Sequence, residues 1–339
     1  LANLTVKTSN LCSEITLPTG IDKNGRDRTA VCCLSSLNLE KYDEWKDDKV
    51  MINDVMRFLD NVLTDFINRA PEQFDDAKYS AEKERSVGLG VMGFHSYLQK
   101  KSIPLESVMS KVWNKKIFKQ IQEQVDQASK DLADERGPCP DAADYGYNER
   151  FSNKTAIAPT ASISIICGGA SPGVEPVAAN SYTHKTLSGS FNVRNRYLVN
   201  LLEKHGKNTE EVWSGITTNQ GSVSHLDFLT DLEKDVFKTA FELDQKWIIE
   251  LSGDRTPYIS QAQSINLFVP ADIHKRELHK IHFDAWKKGL KSLYYCRSKS
   301  IQRAENVNDT KATDVTTNVY KSKPQTTEQP EYEECLSCQ

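Results

Sequence analysis

The sequence predicts an α/β fold with parallel strands. Two observations carry this: short apolar, strand-like runs recur along the chain, and amphipathic helical stretches separate them. Residues 1–18 read as an extended segment. Turns follow at Pro18-Thr19-Gly20 and at Asn24-Gly25, where glycine supplies the unusual dihedrals. Residues 29–39 are short and apolar, and read as a buried strand. Ile52, Val55, Met56, Leu59, Val62, Leu63, Phe66 and Ile67 follow a helical period, and that helix should stop before Pro71. A second helix is expected on Ile117, Ile121, Val125, Ala128 and Leu132. A third is expected as one unit through Leu229, Leu232, Val236, Ala240, Leu243, Trp247 and Leu251. Strands at residues 155–158, 264–269 and 293–296 interleave with these helices. From about Gln302 the apolar residues are scattered among Asn, Asp, Thr, Lys, Gln and Glu. That composition cannot offset its ordering entropy, so residues 302–339 read as a flexible tail.

Length and charge bound the function. The chain has 339 residues, 38% of them hydrophobic and 27% charged, enough for a sizeable core. Lys and Arg total 43 against 47 acids, a net charge of −4 that argues against a general nucleic-acid or membrane binder. No apolar run reaches the ~18 residues of a membrane helix, and no signal segment opens the chain. The chain begins at Leu1 rather than Met, as a processed or cut boundary would. A cytoplasmic, soluble protein is the expectation.

Eight cysteines are too sparse and irregular for a secreted disulfide framework. Cys139 and Cys167 read as buried small hydrophobes. Cys32 and Cys33 are adjacent, so in an extended chain at most one of them faces a given site. Cys335 and Cys338 form a C-x-x-C one residue from the end, which suits a mobile thiol pair better than a metal site.

Four motifs carry chemistry or its absence. Gly88-Leu89-Gly90-Val91-Met92-Gly93 matches G-x-G-x-x-G, but residues 80–85 before it read as helix or loop. The dinucleotide fingerprint lacks its preceding strand, so close helix packing is the better reading. Pro159-Thr160-Ala161-Ser162-Ile163 follows a short strand and suits either an anion site at a helix start or a plain N-cap. In a strand, Asn10, Cys12 and Glu14 share one face, and an amide, thiol and carboxylate buried together are costly without a role. Tyr294-Tyr295 reads first as packing.

Together these stretches resemble the C-terminal half of the large, catalytic subunit of class I ribonucleotide reductase. The matches run in family order: Asn10-Leu11-Cys12-Ser13-Glu14-Ile15, Ala30-Val31-Cys32-Cys33-Leu34-Ser35-Ser36-Leu37-Asn38-Leu39, the glycine motif with Phe94, Ala158-Pro159-Thr160-Ala161-Ser162, Thr186-Leu187-Ser188-Gly189, Gln261-Ala262-Gln263-Ser264-Ile265-Asn266, and the run from Trp286 to Tyr295. The resemblance implies the C-terminal half of a ten-stranded α/β barrel over residues 1–301, a helical subdomain, and a redox tail over 302–339. It implies part of a ribonucleoside-diphosphate reductase large subunit working by thiyl-radical chemistry. Cys12 would carry the radical, Glu14 would be the general base, and Asn10 would bind the substrate sugar. Cys32 would be one reducing thiol, with Cys33 where the family usually has none. Pro159, Thr160, Ala161, Ser162 and Ile163 would hold the ribonucleotide phosphates. Tyr294 and Tyr295 would relay a radical from a separate metal-containing small subunit. Cys335 and Cys338 would re-reduce the active-site disulfide and be reduced by thioredoxin or glutaredoxin. No metal or cofactor would bind this chain directly.

The family's large subunit is roughly twice as long. Its first half supplies the second reducing cysteine, the other half-barrel and the allosteric sites. The chain thus reads as one product of a split gene or a piece of a longer chain, inactive without an N-terminal half. The competing readings are a reductase with a cobalamin or glycyl radical, which needs no tyrosine relay, and a non-catalytic remnant of a decayed or truncated gene. Retention of the Asn10, Cys12, Glu14 trio and the tyrosines opposes the latter.

Overall fold

The computed structural model describes residues 5–186 and 189–299; the expected tail over 302–339, with Cys335 and Cys338, lies outside them. The chain opens with a small hairpin, β1 (Gly20–Ile21) against β2 (Asp27–Arg28), turned at Gly25, whose φ is 74°. β3 (Leu34–Asn38) follows, shorter than the strand expected over residues 29–39, and leads through α1 (Tyr42–Trp45) to α2 (Met51–Arg69). α2 ends at Ala70, directly before Pro71, as the sequence requires. Then come α3 (Asp75–Glu84), β4 (Gly88–Met92), α4 (Phe94–Lys100), α5 (Val108–Arg136), α6 (Pro140–Ala143) and α7 (Ala161–Ile166). The second half holds β5 (Ser181–Thr186), β6 (Gly189–Arg194), α8 (Arg196–Lys204), α9 (Glu210–Thr218), α10 (Asp231–Val236), α11 (Gln245–Arg255), β7 (Leu267–Pro270), α12 (Lys275–Lys287) and β8 (Cys296–Lys299).

Five extended segments line up in sequence order, all parallel. β3 pairs with β4, Leu89 of β4 with Thr155, Ile157 with Gln263, and β7, which continues that last segment, with β8. Helices run between successive segments, the connection that parallel pairing demands. The predicted α/β class with parallel strands is therefore present. Only bridges occur at residues 155 and 157, and regular strand begins at Leu267 and at Cys296, later than the sequence suggests.

The glycine motif is a strand, not a helix-packing site. β4 is wholly buried. A Cβ on Gly88 would come within 2.8 Å of the Ala156 Cβ, and one on Gly90 within 2.3 Å of the Ala156 carbonyl oxygen. The glycines let two backbones approach, a need that a dinucleotide loop shares but that here serves the sheet.

The single helix expected from Leu229 to Leu251 is two, with an irregular stretch between. α10 starts with a capping box, Thr230 and Glu233 each bonding the other's backbone. After Phe237 the Thr239 N–H and hydroxyl both bond the Glu242 carboxylate, and the Ala240 N–H donates to Val177. Asp244 then caps α11. These side-chain caps outcompete a helix that apolar periodicity alone would continue. The apolar residues also serve different clusters. Leu229 and Val236 pack with α8 and α9 around Trp213, whereas Leu243 and Leu251 pack in the main core.

That core lies between the strand layer and α2, α4, α5 and α11, around Leu37, Met56, Val91, Phe94, Phe118 and Ile157. A buried charge cluster ties its helices. Asp60 on α2 is fully buried and bonds Arg85, Arg136 and Arg150. Burial alone would raise its carboxyl, but Arg150, Arg85 and Arg136 outweigh that and hold it below the usual range.

Two outcomes test these contacts. Gly90→Ala forces the Ala156 backbone aside and should cost ~1–3 kcal/mol in chemical denaturation. Asp60→Asn leaves three cations around an uncharged amide and should cost ~3–5 kcal/mol. Because the folded carboxyl is depressed, its contribution is complete above the unfolded value and fades as pH falls through the folded one. The gap between wild type and Asp60→Asn should therefore narrow in acid.

Candidate active site

The segment carrying Asn10, Cys12 and Glu14 is a turn rather than a strand. The Ser13 N–H bonds the Asn10 carbonyl at 3.1 Å, and Ser13 is left-handed with φ 69°. Strict alternation therefore fails: Cys12, Ser13 and Glu14 are all buried, while Leu11 is 71% exposed. The expectation of one shared strand face is replaced by a tight loop that presents consecutive residues inward. A non-glycine residue held at positive φ is a strained arrangement that surrounding contacts must maintain.

Those contacts come from two segments. The Ala262 N–H donates to the Glu14 carbonyl at 2.9 Å, and the Thr16 N–H to Gln261 Oε1 at 3.2 Å. The Ser264 hydroxyl lies 2.9 Å from Glu14 Oε2 and also reaches the Cys12 carbonyl. The Ser292 hydroxyl donates to the Ser13 carbonyl at 2.7 Å. The Asn10 side chain closes the loop on itself, its Oδ1 accepting from Ile15 N–H at 3.0 Å. The Ser13 hydroxyl is buried without a hydrogen-bond partner, a costly position beside two reactive groups.

Tyr294 links this loop to the surface. Its phenol hydrogen-bonds both Tyr295 and Cys12; burial first, and then these two contacts, push its ionisation well above the usual tyrosine value. The two rings lie 3.9 Å apart, centre to centre, at 33°. Tyr295 is 47% exposed, so the row Tyr295, Tyr294, Cys12 runs from outside to inside. The plain packing reading of the pair leaves this hydrogen-bonded row without a purpose.

Pro159 and Ala161 line a cleft of about 800 Å³ together with Tyr294, Tyr295, Glu175, Asn266 and Arg297. Thr160 turns the chain into α7 with φ 55°, and its hydroxyl accepts from Gly173 N–H at 2.7 Å. α7 exposes Ile163, Ile165 and Ile166, and Cys167 is exposed rather than buried as expected. Cys139 is buried, and burial raises its thiol to about 11.

Cys32 and Cys33 separate as the pleat requires. Cys32 is exposed; Cys33 is buried against the Leu59 carbonyl, and desolvation lifts its thiol to about 11. The structure brings Asn10, Cys12, Glu14 and Tyr294 into one neighbourhood, and Cys32 is exposed. Ser264, Ser292, Asn266 and Glu175 escaped residue-by-residue reading. Ser264 and Asn266 lie inside the matched run from Gln261 to Asn266, and Ser292 inside the run from Trp286 to Tyr295; those runs are the available signal. Among the described residues no group of three or more His, Cys, Asp or Glu is placed to hold a metal ion. No described helix is long and apolar enough to cross a membrane.

The fold and the site together define an α/β domain with a parallel strand array and a buried thiol on an inward loop. Residues 2–149 and 141–296 match the family described as ribonucleotide reductase, barrel domain. The chain belongs to that family. It is 52% identical over 300 residues to the ribonucleoside-diphosphate reductase large subunit of Invertebrate iridescent virus 6, covering 87% of this chain and 31% of the relative. It is 45% identical over 313 residues to that of Invertebrate iridescent virus 3, covering 91% and 49%. The solved class Id ribonucleotide reductase alpha subunit of Actinobacillus ureae superposes with a TM-score of 0.80 at 40% identity, over 90% of this chain and 56% of that one. The chain thus spans about a third to just over half of the relatives it matches.

The cysteine geometry makes a direct prediction. Brief alkylation of the native chain near neutral pH should modify Cys32, Cys167 and Cys296 and spare Cys33 and Cys139, because the buried thiols stay protonated. Peptide mass spectrometry reads the result, and equal labelling of Cys32 and Cys33 would refute the burial difference.

Proposed function

We propose that this chain is a catalytic portion of a ribonucleoside-diphosphate reductase large subunit, working with an N-terminal portion and a radical-generating small subunit. The observation that carries the reading is the hydrogen-bonded row from Tyr295 through Tyr294 to Cys12, ending on the loop that holds Glu14. Tyr295 gives up a hydrogen atom to an oxidant held by the small subunit, Tyr294 gives one to Tyr295, and Cys12 gives one to Tyr294. The transfers from Tyr294 to Tyr295 and from Cys12 to Tyr294 each move one electron and one proton along a contact that already exists. Cys12, now a thiyl radical, takes the 3′ hydrogen of the ribonucleotide. Glu14 accepts the 3′-hydroxyl proton, and the Asn10 amide steadies the sugar.

Loss of the 2′-hydroxyl as water needs two electrons and two protons. Cys32 and a cysteine of the N-terminal portion supply them and become a disulfide, and Cys12 returns its hydrogen to C3′. Pro159, Thr160, Ala161, Ser162 and Ile163 would bind the phosphates at the start of α7, where backbone N–H groups favour anions. Cys335 and Cys338 would reduce the disulfide by exchange, and thioredoxin or glutaredoxin would reduce them in turn. The proposal extends to a ten-stranded barrel, five strands from each portion. The strand arrangement supports it, since five parallel segments leave edges that a second half would cover. A gene-remnant reading would have no use for the tyrosine row.

The test is co-expression with an N-terminal portion and a small subunit, followed by deoxynucleotide assay. Cys12→Ser should abolish turnover, and Tyr294→Phe should do so with an unchanged melting temperature, since phenylalanine keeps the ring but cannot release a phenolic hydrogen. Joint loss of Cys335 and Cys338 should spare the first turnover, and dithiothreitol should restore part of the rest. Activity in Tyr294→Phe would remove the relay, and activity of this chain alone would remove the need for a partner portion.

A further inference from the structure

The mouth of the 800 Å³ cleft holds a polar relay that the proposed chemistry does not use. Asn266 stands between two groups. Its Oδ1 accepts from the Tyr295 backbone N–H at 2.9 Å, and its Nδ2 donates to Glu175 Oε1. On the neighbouring strand β8, the Arg297 guanidinium stands 5.2 Å from the centre of the Tyr295 ring and attracts the Glu175 carboxylate. One carboxyl group therefore touches both the backbone hold and the charge environment of the outer tyrosine.

We propose that Glu175 is a positioning residue for Tyr295, acting through Asn266 and Arg297 and switching with its own protonation. Its part in catalysis rests on the function proposed above; its coupling to Tyr295 does not. The amide of Asn266 has two unlike ends. A carboxylate only accepts, so ionised Glu175 fixes the NH₂ end toward itself and the carbonyl end toward Tyr295. A protonated carboxyl can donate as well as accept, so it also tolerates the flipped amide, which would set two donors against each other at Tyr295. The charge acts the same way. A cation over an aromatic ring stabilises its electrons and makes their removal harder. Ionised Glu175 offsets Arg297, whereas neutral Glu175 leaves that cation to the ring.

The switch falls in a usable range. Burial pushes the Glu175 carboxyl up to about 7, with Arg297 and the Asn266 hydrogen bond only partly opposing it. The other ionisable groups among the cleft-lining residues are Arg297, Tyr294 and Tyr295. On the Glu175 segment itself, the Val177 N–H donates to buried His95, which burial holds neutral with a value near 4. A transition near pH 7 that disappears in Glu175→Gln therefore belongs to Glu175.

The direct test uses the 339-residue chain labelled with ¹⁵N-tyrosine and ¹⁵N-asparagine. The Tyr295 amide resonance, assigned by its loss in Tyr295→Phe, and the Asn266 side-chain resonance are followed between about pH 5.5 and 8.5. Both should shift together with a midpoint near the Glu175 value. Glu175→Gln should flatten both traces, and Glu175→Asp should restore a transition at a displaced midpoint. Asn266→Ala, which removes its own side-chain resonance, should shrink the Tyr295 shift, and unchanged far-ultraviolet dichroism would show that the variants fold. A flat wild-type trace, or the same transition in Glu175→Gln, would overturn the proposal. In the assembled enzyme, Glu175→Gln should lower kcat about tenfold, leave KM unchanged and remove the acid limb of the kcat profile near neutrality. If the wild-type assembly makes no deoxynucleotide, the proposed function fails, and the resonance titration still decides the coupling.

Discussion

The segment from Gln261 to Asn266 is bonded on both sides, and the site exists because of it. On one edge Gln261 and Ser264 donate backbone bonds to Thr155 and Ile157, which places the segment in the parallel array. From the same stretch Ala262 and Ser264 hold the Glu14 loop, while Ile265 and Asn266 hold the backbones of Tyr294 and Tyr295. A thiol loop at one end of the sequence and a tyrosine pair near the other thus meet across one strand. Sliding that strand by one residue would exchange its inward and outward side chains and separate the two.

The strand is anchored from behind by an unusual group. Arg255 on α11 is 1% exposed, and burial lowers its guanidinium to about 9. Its nitrogens donate to Gln263 Oε1 at 2.6 Å, Asn114 Oδ1 at 3.0 Å and Ser252 Oγ at 2.9 Å. It also lies over the rings of Phe94 and Phe118, at 5.7 and 5.6 Å. A buried cation is costly unless fully satisfied, and this one is satisfied only if α5, α11 and the strand keep their present places. The apolar core gives the array its stability, and the polar contacts of Arg255 and Asp60 make its arrangement particular.

The site itself carries strain in the opposite sense. Ser13 holds a left-handed backbone and a buried hydroxyl with no partner, between the two most reactive side chains of the loop. Local strain of this kind persists only where neighbours over-determine it, as the bonds from Ser264, Ser292 and Ala262 do here. A loop so held needs little reorganisation to keep Cys12 and Glu14 buried where they are.

Much of this was legible in the chain. Helical periodicity over residues 52–67, closed by Pro71, fixes α2 because burial of a helix face and the backbone demands of proline are both local. The matched motifs identify the family and mark Cys12, Glu14, Tyr294 and Tyr295 from sequence alone. What the sequence left wrong depends on partners far away. The trio at Asn10, Cys12 and Glu14 is a turn because Ser264 and Ser292, more than 240 residues later, bond its carbonyls. Periodicity ran α10 and α11 together because it cannot see that Leu229 and Leu251 enter different clusters. The glycine motif looked like helix packing because the Ala156 backbone that forbids a Cβ at Gly90 is remote in sequence. Residue types and their local spacing determine which elements form and which chemistry is on offer. Only the tertiary structure decides which of those groups meet, because hydrogen bonds and close approach are set by distance in space.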